Sequence, residues 1–368
     1  GTAVIAALVC IVLFLYTKRI IPKQVLLIIL AVIVVGESGA TAYIGVKTTT
    51  VTSTVDYPRG EEAAANVISY MNETEKDTKE MWRAETTSTQ TLNDGSLNGY
   101  NGLSMFNSMA NVDMTVLFEN FGMMGWKSGN RYTYAEGSPV TNLFMNLKYL
   151  IARDNIYMNT YDLTEVYGVG NVKLLQNNHY LPMGFMTNSA LAGWQVDENE
   201  DQFNPFDKQN EFFKLATGIK DDVYTPLEVV SQGHTDYNQF PVNKTGYGRY
   251  SFSCTDTTIT PHVKWNYEAP KDGLYLMYAD ISGGDDVTVM INDVAQSKTY
   301  GMGRSYIACI GQCKKGDKIS VYSNLQQGQS GSAMVFVDVL NQDVFEEGYN
   351  KLSKSVMTTT KLTGSSME

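Results

Sequence analysis

Histidine, cysteine and tryptophan are scarce, with three, four and four among 368 residues, and only 18% of the chain is charged. So few imidazoles and thiols leave little for metal or nucleophile chemistry. His179, His234 and His262 each stand without a second ligand at metal spacing, and "CIGQC" (Cys309 to Cys313) has no companion pair for zinc. A Gly-rich phosphate loop, an HExxH helix, a Ser-His-Asp set and a GxSxG elbow are all missing; "GLSMF" lacks the second glycine. Basic runs are missing too. Lys plus Arg number 28 against 39 Asp plus Glu, a net charge of −11, which argues against a nucleic-acid partner.

What the chain does have is two long apolar runs at its start. Thr2 to Tyr16, "TAVIAALVCIVLFLY", falls short of the ~20 residues a span needs. Val25 to Val46 is long enough, with Glu37 its only charge. No small-residue cleavage site follows the first run, so the pair reads as a membrane hairpin over 1–46, not a signal peptide. Lys18, Arg19 and Lys23 lie between the runs, and short basic loops stay cytoplasmic. The expectation is a multi-pass protein of the cell membrane with everything after about residue 47 outside. Glu37 reads either as snorkelling to the interface or as a polar contact in a larger helix bundle.

Exported context bears on the cysteines. Cys10 sits in the first run, leaving Cys254, Cys309 and Cys313. Two readings stay open, a bridge from Cys254 to Cys309 or Cys313, or unpaired buried thiols.

Residues 47–60, "KTTTVTSTVDYPRG", read as an extended tether ended by Pro58 and Gly60. Over 61–240 helical and strand patterns alternate, predicting a mixed α/β domain. Glu61 to Thr78 places Ala64, Val67, Ile68 and Met71 on one helical side. Strands are predicted at "MWRAET", "NLKYLIAR", "EVYGV", "VKLLQN" and "GFMTN". A helix capped by Asn111 is predicted over Asn111 to Met123, and another over Phe206 to Thr217, ended by Gly218. From 241 to 342 many short strands between turns predict a β-sandwich like that of a carbohydrate-binding module. Residues 343–368 give a terminal helix and a β-prone run. The class is α+β: a transmembrane hairpin, an extracellular mixed α/β domain and a β-sandwich. Both ends look like cuts in a longer chain.

Arg83 and Glu85 alternate on the strand "WRAET" and would share a face, as a satisfied buried pair or as part of a ligand groove. Tyr100, Asn101, Ser104 and Asn107 lie in the most motif-like stretch; their amides and hydroxyls suit sugar hydroxyls, and Tyr100 could stack on a ring. The competing reading is a structural turn built on Gly99, Asn101 and Gly102. "DISGGDD" offers hard oxygens for Ca2+ without the spacing of a known loop, so a hairpin turn is expected there.

Several stretches together resemble the YfhO family of bacterial multi-pass membrane proteins. They are "GYNGLSMFNS" (Gly99 to Ser108), "NLKYLIAR" after "EGSPVTN", "LPMGF", "NPFDKQNEFFKLATG", "APKDGLYLMY", "CKKGDKISV" and "VFEEGYNKLSK", in order. The resemblance implies a glycosyltransferase of GT-C type that takes a sugar from a polyprenyl-phosphate carrier and places it on a cell-envelope polymer such as lipoteichoic acid, with inverting base chemistry. Membrane lipid, the lipid-linked sugar donor and a teichoic-acid-type or other surface glycan are the implied partners, and no cofactor is expected in this part. The family's catalytic carboxylate belongs to an early outer loop that precedes these residues, so no catalytic residue is assigned. The pattern departs at the second run, where "GATA" follows "ES" in place of an expected Asn, which weakens any role of Glu37. Two other classes compete: a membrane-anchored glycan-binding scaffold without catalysis, and a flippase of lipid-linked sugars, which would want more charges in its spans.

Overall fold

Leu, Ile and Val occupy the first two runs without leaving a polar stripe. They fold as α1 (Thr2–Thr17) and α2 (Lys23–Thr48) in a compact unit of their own, Gly1–Arg59. Apolar side chains face outward, among them Leu8, Ile11 and Phe14 on α1 and Leu27, Ile28 and Val32 on α2. By length and composition α2 can cross a bilayer; α1 is apolar but shorter. Lys18 and Arg19 lie in the connection, whereas Lys23 opens α2 instead of lying in the loop. The helix also runs past its expected end at 46, so Lys47 and Thr48 are helical and not tether. Glu37 is exposed on α2.

The computed structural model describes residues 2–49, 61–126, 131–153, 161–197, 204–233, 240–259, 261–300, 305–357, 362–363 and 366–367. Residues 50–60 of the expected tether and His234 lie outside them.

The second unit, Gly60–Glu368, begins with α3 (Glu61–Thr74). Its apolar positions bury as their spacing requires: Ala64, Val67, Ile68 and Met71 are at most 3% exposed. Each of the larger three is worth roughly 1.5–3 kcal/mol of burial. After α3 come β1 (Arg83–Thr86), α4 (Asp94–Asn98), β2 (Met105–Phe106), α5 (Val112–Asn120), β3 (Met124–Trp126), β4 (Arg131–Thr133), α6 (Pro139–Phe144), β5 (Leu147–Ala152), β6 (Leu163–Val169), β7 (Val172–Asn177) and α7 (Pro205–Thr217). A four-stranded sheet runs β1-β5-β7-β6, with β1 parallel to β5 and the other pairs antiparallel. One face packs on α3 through Tyr149, Ile151, Val172 and Leu174, the other on α5 through Leu147, Leu150 and Leu175. A small sheet, β2-β4-β3, stands beside α5. "GFMTN" does not form a strand: Pro182 precedes it, and only Phe185 makes a bridge, to Val356.

Asn111 and Asn204 cap α5 and α7 through their side chains, and Gly218 ends α7 at φ 72°. These signals acted locally, as capping chemistry does.

The rest is an antiparallel sandwich with strands β8 (Tyr224–Pro226), β9 (Ser231–Gly233), β10 (Val242–Gly246), β11 (Arg249–Ser253), β12 (His262–Glu268), β13 (Gly273–Ile281), β14 (Gly284–Ile291), β15 (Val294–Tyr300), β16 (Ile307–Cys313), β17 (Lys318–Leu325) and β18 (Ser330–Leu340), followed by α8 (Gln342–Ser353). One sheet runs β10-β11-β18-β13-β16 with β8 also on β18; the other runs β15-β14-β17-β12-β9. Trp265, Tyr267, Val289 and Val321 meet Tyr250, Met277, Ile310 and Val337 between the sheets. The outer face of the first sheet is covered as well. Leu276, Tyr278, Phe336 and Ile307 pack on α6, α7 and α8 through Leu143, Phe213 and Phe345. The turn in "DISGGDD" joins β13 to β14, which belong to different sheets, so it is a corner between layers and not a paired hairpin. Cys10, Cys254, Cys309 and Cys313 are thiols without a bridge.

Candidate functional site

β1, an edge strand of the four-stranded sheet, carries Arg83 and Glu85. A bulge between Arg83 and Ala84 breaks the simple alternation, so Arg83 is partly exposed while Ala84, Glu85 and Thr86 are buried. The two charges do not pair. Arg83 Nη1 donates to the carbonyl of Met145 at 3.1 Å and to Asn146 Oδ1 at 3.3 Å. Burial pulls its guanidinium below its ordinary value. Glu85 Oε1 accepts the backbone N–H of Leu103 and, at 2.6 Å, that of Ser104. Loss of solvent pushes the Glu85 carboxyl up to about 7, while those N–H donors pull it down.

A second buried carboxylate, Asp94, organises the turn before this loop. It accepts from the amide of Gln90 (3.0 Å), Asn98 Nδ2 (3.1 Å), the Tyr100 hydroxyl (3.0 Å) and Arg153 Nη1 (3.4 Å). α4 ends on Gly99 at φ 75°, a left-handed position that glycine takes at no steric cost and that turns Tyr100 inward. Burial and the neighbouring Glu85 and Asp94 raise the Tyr100 phenol well above its usual range. Arg153 is only 4% exposed, and its Nε and Nη2 have no hydrogen-bond partner.

The loop from Gly99 to Asn107 is therefore fixed along its backbone. The carbonyl of Asn101 accepts from Ala84 N at 2.9 Å, and Ser104 Oγ accepts from Tyr134 N at 2.9 Å. Asn93 brackets Phe106, donating to its carbonyl (2.9 Å) and accepting from its amide (2.8 Å). Asn107 Oδ1 accepts from Met109 N at 2.8 Å.

The six residues singled out in the sequence thus gather around one loop, in unequal roles. Glu85 clamps it from beneath, and Arg83 holds the neighbouring Met145–Asn146 turn. Tyr100, read as a stacking platform, is buried with its hydroxyl committed to Asp94. Ser104 is half-buried and engaged in the loop. Asn101 and Asn107 are exposed, and the Asn101 side-chain amide has no partner among the described residues. Sequence reasoning passed over Asp94, Asn93 and Arg153. Asn93 and Asp94 sit in "NDG", a turn signal that gave the only hint.

A separate cluster forms around His179, whose Nε2 lies 2.9 Å from Glu346 Oε2 and whose Nδ1 lies 3.3 Å from Asp162 Oδ2. Tyr161 donates to Glu346 Oε1 at 2.6 Å. These contacts fasten α8 to the end of the four-stranded sheet.

Over residues 2–368 the chain matches the family model described as bacterial membrane protein YfhO. No curated protein matches it. Among solved structures it is similar to a family 35 carbohydrate binding module from Clostridium thermocellum, at 11% identity over 32% of this chain and 96% of that one, with a TM-score of 0.22. A family 35 module from an environmental isolate gives 14% identity, 32% and 93% coverage and a TM-score of 0.23. The CBM36-1 domain of a xylanase from the hindgut metagenome of Trinervitermes trinervoides gives 10%, 32%, 95% and 0.21.

Proposed function

We propose a function for a chain that belongs to the bacterial membrane protein family YfhO: it serves a membrane glycosyltransferase that moves a sugar from a polyprenyl-phosphate carrier to a cell-envelope polymer such as lipoteichoic acid, its second unit positioning the acceptor. In this reading the protein is multi-pass, Lys18 and Arg19 keep the connection between α1 and α2 inside, and the chain after about residue 47 is outside.

One observation supports the acceptor role. Two buried carboxylates, Glu85 and Asp94, accept hydrogen bonds from Leu103, Ser104 and Tyr100 in the Gly99 to Asn107 loop, on which Asn101 and Asn107 are exposed, Asn107 with its Oδ1 on Met109 N. Preorganised amides can donate to and accept from sugar hydroxyls without a further ordering cost. No charged residue occurs from Gly95 to Val112, so the loop presents no negative charge to an anionic polymer although the chain carries −11 overall.

The test is the sugar content of lipoteichoic and wall polymers, by mass spectrometry, in cells with the full-length gene, without it, and with Asn101→Ala plus Asn107→Ala. Loss of one sugar without the gene, and a drop of about tenfold in the double variant at unchanged protein level, is expected. An unchanged profile on deletion would overturn the transferase reading and favour a scaffold that binds glycan.

A further inference from the structure

The same loop carries a feature that acceptor binding does not use. Met105, Phe106 and Met109 are 40%, 48% and 89% exposed. Both residues of β2 leave their side chains exposed, Met105 with its Sδ accepting from the Tyr132 hydroxyl at 3.4 Å, and Leu97 and Val112 on the flanking helices are exposed as well. An apolar tip of this kind is unfavourable in water unless something covers it. Its backbone is not loose: Asn93 holds Phe106 on both sides, and Asn107 holds Met109. The tip is built to stay out.

Next to Phe106, across the β2–β4 pairing, stands Arg131. Its guanidinium lies 3.6 Å from the centre of the Trp126 ring, and among the described residues it has no carboxylate partner. A chain with a net charge of −11 has many acids available, so an arginine that meets a tryptophan ring and no carboxylate among the described residues, beside exposed Phe and Met, is distinctive. Trp and Arg with apolar side chains are the composition of a membrane interface, where the ring sits at headgroup level and the guanidinium meets lipid phosphate. The occupant that this charge and apolarity fit is a bilayer, and α2 on the same chain gives that bilayer a high effective concentration.

We propose that Met105, Phe106 and Met109 seat in the headgroup–acyl boundary of a lipid bilayer, with Arg131 on the lipid phosphates. The inference rests on the membrane reading of the family and is independent of whether sugar is transferred. It makes the tip a second membrane contact that would set the height of Asn101 and Asn107 above the lipid.

The full chain is reconstituted in nanodiscs of phosphatidylcholine and phosphatidylglycerol containing a phospholipid with a diazirine on its acyl chain, and labelled peptides are mapped by mass spectrometry. Label is expected on the peptide holding Met105 to Met109 as well as on α1 and α2. It should fall at least fivefold at the former, and stay unchanged at the latter, in the variant Met105→Ser, Phe106→Ser, Met109→Ser. Met109→Ser alone, at a side chain that is 89% exposed, serves if the triple variant does not fold. Arg131→Gln should reduce labelling in discs with phosphatidylglycerol more than in discs of phosphatidylcholine alone. Label confined to α1 and α2, or label at the tip that the substitutions do not change, would each overturn the proposal. Because labelling reads lipid contact and the polymer profile reads transfer, the two readings fail separately.

Discussion

Glu85 Oε1 lies 2.6 Å from the backbone nitrogen of Ser104, and the same oxygen takes the amide of Leu103. A single buried carboxylate oxygen thereby fixes two consecutive peptide groups of the loop that presents Asn101 and Asn107. Glu85→Ala should leave the buried amide of Leu103 without an acceptor, at about 1–3 kcal/mol, and free the part-buried amide of Ser104 at a smaller cost. A melting temperature lowered by several degrees, together with faster amide exchange at Leu103 and Ser104, is the expected outcome.

Protonation of Glu85 gives this clamp a pH dependence. Its folded value, about 7, lies above the ordinary 4.5, so the folded state binds the proton more tightly. Its contribution to stability is complete below about 4.5 and is lost as pH rises through about 7. The slope is about 1.4 kcal/mol per pH unit within that window. Glu85→Gln keeps an oxygen for the two amides and cannot titrate. Urea unfolding between pH 4.5 and 8 should show a flatter profile for this variant; identical profiles would contradict the assignment.

Asp338 has the same sign and the same cause, loss of solvent, without the backbone N–H donors that oppose it at Glu85. It is 1% exposed on β18, its Oδ1 has no partner, and burial pushes it well above the usual carboxylate range. Stability should again be lost as pH rises from the ordinary carboxylate value through the raised one. Asp338→Asn should remove that slope, leaving a smaller fall in melting temperature between pH 5 and 8 than in the parent.

Gly348 lies where α8 crosses α7, and a Cβ built there would overlap the ring of Phe213. Gly348→Ala should cost about 1–3 kcal/mol through overpacking, despite alanine's better helix propensity. Thermal melting checks the sign, since a helix governed by propensity alone would gain stability.

The thiols can be counted chemically. Cys254, Cys309 and Cys313 are buried, Cys10 is exposed on α1, and none is bridged. Maleimide treatment of the native chain in detergent should modify at most Cys10. Denaturation without reductant should release all four, and a mass shift on reduction would contradict the unbridged state.

Local signals were legible in the sequence because their physics is local. Asn111, Asn204 and Gly218 specify helix ends through contacts a few residues away, and the α3 face follows from spacing alone. The alternation in "HVKWNYE" marks β12 as half-covered, and it is. "GLYLMYADI" and "AMVFVDVL" read as strands too, but their near-continuous apolar character carried more: β13 and β18 are covered on both faces, one of them by α6, α7 and α8. Arg83 and Glu85 could be placed on one strand, yet their partners could not be read, since a bulge altered their facing and Glu85 answers to amides 18 and 19 residues away. Arg153 meets Asp94 across 59 residues of chain, a pairing that only the assembled sheet creates. Exposure of Met105, Phe106 and Met109 was hidden for the same reason, because apolar letters read as core until a fold leaves them outside.

Strands β8 and β9 come from the chain before residue 241, yet β8 completes the edge of β18 and β9 the edge of β12. The amide of Leu227 also donates to the carbonyl of Val337 at 2.8 Å, extending that seam. The sandwich is consequently not a cassette. A gene fragment opening at 241 would encode two raw sheet edges and, on the far side of β13 and β18, an apolar face left with α8 alone of its three covering helices, which is the makeup of an aggregating product. Recombination could exchange this module only with its upstream segment and its helical cover attached, so the second unit is expected to be inherited as a block.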